Sequence, residues 1–285
     1  MGEVVVSSLS GADGSIALNL LDVEAVAAVI RRVQPTHILH LAAISAPVAA
    51  AAHAIEAFRI NVEGSLNLAA AAAAGAAVER FVFASTAEVY GLAFNSGLPL
   101  LEDTPPVPVG VYARTKLAAE FAISEVLGPT CQVVNARPSN HTGPGQRDAF
   151  VAPAFVNQIV AMEYHRQPNT LKVGDLSAQR DFLDVRDVAQ AYLCLLTKPE
   201  LPRVSTFNIS SSRARPIGDI VEILREISGV AFEVDVDAAR QRSSPVPIAR
   251  VDNTLISSTG WHPKIGLRTT LADMLEARRR FVQAS

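Results

Sequence analysis

RFVFASTAEVYG, Arg80–Gly91, is the stretch that decides the fold. It runs apolar from Phe81 to Ala84 and then turns polar, with Ser85, Thr86 and Glu88 ahead of Gly91. An apolar run without alternation is the pattern of a strand covered on both faces, which places it in the middle of a parallel sheet. Ser85 and Thr86 then stand at the carboxyl edge of that sheet, where α/β proteins bind ligands. A hydroxyl in such a place either caps the following turn or bonds a substrate oxygen.

Working outward, the same texture recurs in HILHLA, His37–Ala42, and in Gln132–Ala136. Glu3–Ser7 and Ile16–Leu21 read as shorter strands. Helices are expected at about Val23–Val33, stopped by Pro35, and at about Val111–Leu127. The Ala-rich segment Ala49–Ala77 reads as one soluble helix with small packing residues. Its His53, Glu56, Arg59, Asn61, Glu63 and Asn67 argue against a lipid-facing span. Strands alternating with helices in this way indicate βαβ units around a parallel sheet. After Pro138 the texture changes to Gly and Pro loops with short strands at Leu171–Val173, Thr206–Ile209 and Phe232–Val236. Helices are expected there near 151–165, 185–197, 216–228 and 266–282. This reads as a smaller second region, with the chain crossing into it more than once.

A chain of 285 residues, 49% hydrophobic and 19% charged, can bury a large core. The net charge of -3 offers no broad electropositive surface, so nucleic acid is not an expected partner. Cys131 and Cys194 lie far apart in apolar surroundings, which argues against a disulfide framework and for a reducing cytoplasm. The six histidines show no zinc spacing, and no metal is expected. The opening MGEVVVSSLSGADG has neither the basic nor the long apolar region of a signal peptide.

Tyr112 and Lys116 are one helical turn apart and share a helix face. An ammonium beside a phenol favours the phenolate, so the pair is expected to lower the phenol's pKa from about 10 and make Tyr112 a proton donor or acceptor near neutrality. The spacing alone is common on half-exposed helices, and its weight comes from the Ser85–Glu88 turn beside it.

These segments together resemble the extended short-chain dehydrogenase/reductase family, also described as NAD-dependent epimerases and dehydratases. The resemblance is carried by HLAA (His40 to Ala43), NVEGS (Asn61 to Ser65), ASTAEVYG, PxxxYxxxK (Pro108 to Lys116) and NARPSNHTGPGQ (Asn135 to Gln146). It continues through RDFLDVRDVAQAY (Arg180 to Tyr192) to GWHP (Gly260 to Pro263). NHTGPGQ, FVxPxFxxQI (Phe150 to Ile159) and VGDLSAQRDF (Val173 to Phe182) look most like the GDP-4-keto-6-deoxymannose reductases, relatives of the GDP-mannose 4,6-dehydratases.

The resemblance implies an α/β fold: a Rossmann-type doubly wound parallel sheet with a smaller C-terminal α+β substrate-binding cap. The dinucleotide-binding domain would comprise residues 1–138 with parts of 175–215, and the cap 139–174 and 216–285. It implies that Tyr112 is the catalytic acid or base, that Lys116 binds the nicotinamide ribose and tunes the tyrosine, and that Thr86 hydrogen-bonds the sugar. Asp22 would meet the cofactor's adenine, beside Val23, while Leu41, Ala42 and Ala43 would line the cofactor cleft. Asn140, Arg180 and Arg242 would hold the nucleotide-diphosphate sugar; a diphosphate suits paired, planar arginine donors. Glu88 matches the glutamate with which dehydratases remove the C5 proton, whereas TGPGQ favours a reductase. The Ala-rich helix and the Tyr-Lys helix match the pair through which relatives form homodimers.

Two departures stand out. The family opens with a strand and a GxxGxxG turn that brings the pyrophosphate to a helix N-terminus. Here Ser10–Ser15, SGADGS, falls by position in the loop after the family's second strand, so the first strand-loop-helix is expected to be missing, either because the start of the chain is placed too late, the favoured reading, or because the chain is a genuine truncation that binds the cofactor poorly. In addition, Arg242-Ser243-Ser244-Pro245-Val246-Pro247 lacks the acidic residue of the family's RPSEVP, which leaves the base open. Ser7 and Ser8 carry neither the acid suited to NAD nor the arginine suited to NADP, so either cofactor is expected. The leading expectation is reduction of a C4 ketone on a nucleotide-linked 4-keto-6-deoxyhexose. The alternatives are 4,6-dehydration or 4-epimerisation with Glu88 as base, and a catalytically silent nucleotide-sugar binder.

Overall fold

The computed structural model describes residues 2–75, 78–129, 131–237 and 245–284. The chain divides into two units. The first comprises Met1–Gly91, Pro106–Arg137 and Tyr192–Phe207; the second comprises Leu92–Pro105, Pro138–Ala191 and Asn208–Ser285.

In the first unit, β1 (Ser7–Ser8) and β2 (Ile16–Ala17) pair in parallel as a small sheet of their own. Both are shorter than the sequence suggests. SGADGS is the turn between them, with Gly11 and Gly14 at φ 69° and 75°. α1 (Val23–Val33) begins where the Asp22 side chain accepts a hydrogen bond from the Ala25 amide at 3.0 Å, and ends at Gln34 in the left-handed region ahead of Pro35. Its Val26 and Ile30, one turn apart, are buried.

β3 (His37–His40), β4 (Arg80–Ala84) and β5 (Gln132–Pro138) are parallel neighbours, with Val204–Ile209 beyond β5. β4 is buried at every residue: Phe81–Ala84 through their apolar texture, and Arg80 because its guanidinium donates to Gln132 and to the Leu195 and Leu196 carbonyls. β3 stands at the edge of this four-stranded sheet. Phe81, Phe83 and Val133 pack in one core with Leu18, Val26, Ile30, Leu68 and Ile123.

The Ala-rich segment is not one helix. It is divided into α2 (Pro47–Ala52), α3 (Ala54–Phe58), a π-helical turn over Arg59–Glu63 and α4 (Gly64–Gly75). His53, at φ -126° and ψ 55°, breaks the first part. The wide turn then carries Asn61 into the interior, where its amide group finds three partners. α5 (Gly110–Leu127) carries the Tyr-Lys pair. After β4 the chain doubles back at Gly91, where a side-chain carbon would approach the Val107 carbonyl oxygen to 2.0 Å.

The second unit has its own core, built from helices Val151–Glu163, Gly218–Ser228 and Leu267–Gln283 around the parallel strands Thr170–Val173 and Glu233–Val236. Asn140–Thr142 pairs with Phe182–Asp184, and Gln179–Arg180 lies between Arg215–Pro216 and Ile248–Ala249. Leu92–Pro105 lies in this unit, although the sequence reading keeps it with the first domain. Leu100 exchanges backbone hydrogen bonds with Arg250 and Asp252 at 3.1 and 2.9 Å, which ties the segment there.

Candidate active site

The carboxyl end of β4 and the start of α5 bring Thr86, Glu88, Tyr112 and Lys116 into one group within the first unit. Thr86 is buried, its oxygen accepts from the Glu88 amide at 3.2 Å, and its hydroxyl is near enough to the Tyr112 phenol to favour the ionised form. The cap and the contact to the tyrosine are thus made by the same side chain. Glu88 has an exposed side chain whose charge bears on the phenol.

Lys116 is buried; its Nζ donates to the Ala84 carbonyl at 2.6 Å and lies 4.6 Å from the centre of the Phe83 ring. Burial pushes its pKa down to about 7, against the opposing charge of Glu120. This overturns one expectation. Tyr112 is not lowered by Lys116: burial, then Glu88 and Tyr192, raise its pKa well above the ordinary phenol value, and the Thr86 hydroxyl only partly offsets them. The ammonium is turned to the end of β4, so at neutral pH Tyr112 is a protonated phenol.

The other expected residues stand on other elements. Leu41, Ala42 and Ala43 directly follow β3, with Leu41 and Ala42 exposed. Asp22 is the helix cap already described, and Val23 beside it is exposed. In the second unit Asn140 is exposed at the start of its strand. Arg180 donates to the Gln179 and Pro247 carbonyls at 2.7 and 3.3 Å, with Arg215 as its cross-strand neighbour. Arg242 lies outside the described residues.

Several buried polar residues escaped the sequence reading. Asn61 Oδ1 accepts from the Ile44 amide at 2.7 Å, while its Nδ2 donates to the Ile44 carbonyl and to Thr115 Oγ1 at 3.2 and 3.0 Å. It therefore braces the loop after β3 against α5. Ser65 Oγ donates to the Asn61 carbonyl, which leaves its oxygen to accept from His40 Nε2 at 2.8 Å. Burial, reinforced by the Lys116 charge, pushes the His40 pKa down to about 3. Glu120, one turn beyond Lys116, pairs with Arg137 and accepts from Ser85. A polar residue inside an apolar or alanine run was the available signal for His40 and Asn61.

The model of the NAD dependent epimerase/dehydratase family matches residues 5–210. The chain belongs to that family. Among its relatives, a GDP-6-deoxy-D-mannose reductase of Pseudomonas aeruginosa is 36% identical over 243 residues, 85% of this chain and 79% of that protein. A dTDP-D-glucose 4,6-dehydratase of Mus musculus is 30% identical over 232 residues, 80% of this chain and 63% of the mouse protein. The chain thus spans less than two thirds of the length of that dehydratase. The structure of RMD from Pseudomonas aeruginosa complexed with NADPH matches with a TM-score of 0.85 at 33% identity, covering 92% of this chain and 87% of that one. The UDP-glucose 4-epimerase of Thermus thermophilus complexed with NAD matches at 0.81 and 27%, covering 94% and 86%. The family's Rossmann-type α/β architecture is the fold of this chain.

The donor set suits the nicotinamide end of NAD(P): a phenol and an ammonium one helical turn apart, with small residues after β3. Among the described residues, none of the strand-to-helix turns of the first unit is glycine-rich; the Gly11–Gly14 turn joins two strands. Also among the described residues, no helix is long and apolar enough to cross a membrane.

Proposed function

We propose that this family member reduces the C4 ketone of a nucleotide-linked 4-keto-6-deoxyhexose, with NADPH or NADH as the reductant. The observation that carries the reading is the buried Tyr112 phenol beside Thr86 and Glu88 at the end of β4, where burial and Glu88 keep it protonated. Reduction needs a proton at the ketone oxygen, and an alkoxide is a stronger base than even a raised phenolate. Tyr112 donates that proton, while Thr86 hydrogen-bonds the same oxygen and fixes its position. Hydride transfer is the chemistry that the dinucleotide would supply when bound. Lys116 and Tyr112 would hold its nicotinamide ribose, with Leu41, Ala42 and Ala43 along its path and Asp22 and Val23 toward its adenine. On the second unit Asn140, Arg180 and Arg242 are the proposed contacts to the sugar nucleotide.

The 36% identity to a GDP-6-deoxy-D-mannose reductase supports a GDP sugar as the substrate class. Mixing the purified chain with GDP-4-keto-6-deoxymannose and NADPH tests it: absorbance at the reduced-cofactor band should fall in proportion to ketone consumed. No consumption, by protein that calorimetry shows to bind both ligands, overturns the reading. A second reading, 4,6-dehydration or 4-epimerisation, is favoured by the carboxylate of Glu88 beside Tyr112. It requires turnover of the unreduced sugar nucleotide with no net consumption of cofactor.

A cytoplasmic homodimer completes the proposal. Val48, Ile55, Phe58 and Phe121, on α2, α3 and α5 of the first unit, are exposed apolar side chains, at 52%, 81%, 44% and 67%. They support a helix-to-helix contact with a second copy.

A further inference from the structure

We propose that Glu120 is a positioning residue: clamped by Arg137 and Ser85, it fixes a negative charge one helical turn from Lys116 and thereby keeps the buried ammonium charged and directed at the end of β4. The inference rests on the roles proposed above for Tyr112 and Lys116.

Tyr112, Lys116 and Glu120 follow one another at single-turn intervals along α5 and share its inner face. Glu120 is 3% exposed and Arg137 6%, so both charges have left water. Arg137 binds the carboxylate in a fork, Nε to Oε1 at 3.0 Å and Nη2 to Oε2 at 2.6 Å. Ser85 Oγ donates to Oε1. The guanidinium also lies 4.9 Å from the centre of the Tyr90 ring. The clamp therefore ties α5 to the carboxyl ends of β4 and β5 at once, and Ser85 is the residue before Thr86.

A buried ion pair is a costly way to pack this space, because apolar side chains of similar volume usually do so at no loss of stability. What apolar side chains cannot supply is a fixed charge. The groups that face Lys116 are the Ala84 carbonyl and Phe83 ring of β4, His40 of β3, and Tyr112 and Glu120 of α5. His40 is neutral across the ordinary pH range, and Tyr112 is a neutral phenol. Glu120 is the group whose charge opposes the deprotonation that burial favours.

The chain has four lysines, Lys116, Lys172, Lys198 and Lys264, so uniform ¹³C-lysine labelling of the full chain gives few side-chain resonances to titrate by NMR. Lys116→Arg assigns the signal. Glu120→Gln should move the Lys116 midpoint down by about one pH unit, a roughly tenfold change in its dissociation constant, and leave the other three in place. The alkaline limb of kcat/KM should move down by the same amount. If Glu120→Gln does not fold, Glu120→Gln combined with Arg137→Met removes both buried charges and should give the same displacement. An unchanged Lys116 midpoint in whichever variant folds overturns the proposal. The titration requires neither sugar nor cofactor. A displaced midpoint in a protein without reductase activity would therefore sink the functional reading and leave the clamp standing.

Discussion

Thr86 closes the turn after β4 and Tyr112 opens α5, yet the threonine hydroxyl lies near enough to the phenol to oppose the rise in its pKa. Two hydroxyls that converge can address one oxygen of a substrate, and the chemistry proposed here depends on that convergence.

Removing the phenolic oxygen alone tests the proton donor. Tyr112→Phe should lower kcat by about 10² to 10⁴-fold, the range expected for loss of general acid catalysis. The melting temperature should stay close to that of the parent, since the ring is retained. Initial rates of cofactor oxidation beside a thermal melt measure both; undiminished turnover would remove Tyr112 from the mechanism.

Thr86 carries two duties, and a graded series separates them. Thr86→Val keeps the β-branched shape but loses the hydroxyl beside Tyr112 and the cap on the Glu88 amide. The cap is worth about 1 kcal/mol of stability. The rate should fall by more than the cap accounts for, about tenfold or beyond. Thr86→Ser should recover both the melting temperature and most of the rate.

Glu88→Gln distinguishes the two enzymatic readings. The carboxylate raises the Tyr112 pKa, so neutralising it lets the phenol ionise at lower pH. A reductase should keep its neutral-pH rate within about threefold, because the phenol stays protonated at neutrality without the carboxylate. A dehydratase that uses Glu88 as its base should lose about 10²-fold or more.

His40 predicts a pH dependence of stability. Its folded pKa is about 3 against an ordinary 6.5, so between those values the unfolded chain binds a proton that the folded chain does not. Stability therefore falls as pH drops from about 6.5 toward 3, by up to roughly 1.4 kcal/mol per pH unit. Asp181, pushed up to about 6 by burial, contributes the opposite slope between 3.8 and 6. Chemical denaturation of the parent and His40→Gln across pH 4 to 7 isolates the histidine. Their stability difference should change with pH, and parallel curves would refute the assignment.

The central strands, α1, α5 and the helices of the second unit were legible in the sequence because each is set by local pattern: apolar runs, Pro stops and helical periodicity. The Tyr-Lys spacing and the hydroxyl turn were legible for the same reason. The Ala-rich segment was not read correctly. Alanine supports an uninterrupted helix by propensity, and nothing local announces that Asn61 is drawn inward by Ile44 and Thr115. The short pairings around Arg180 went unread because two-residue strands carry no period.

The sequence by itself determined the order of strands and helices and the residue types at the end of β4 and along α5, since these follow from neighbours in the chain. Tertiary structure decided the charge state of those residues. Whether Lys116 serves the phenol or the Ala84 carbonyl, whether Tyr112 is an acid at neutrality, and whether Glu120 is a solvent charge or a buried anchor all depend on desolvation and on partners far away in the chain. A spacing along one helix does not encode a dielectric environment; packing creates it.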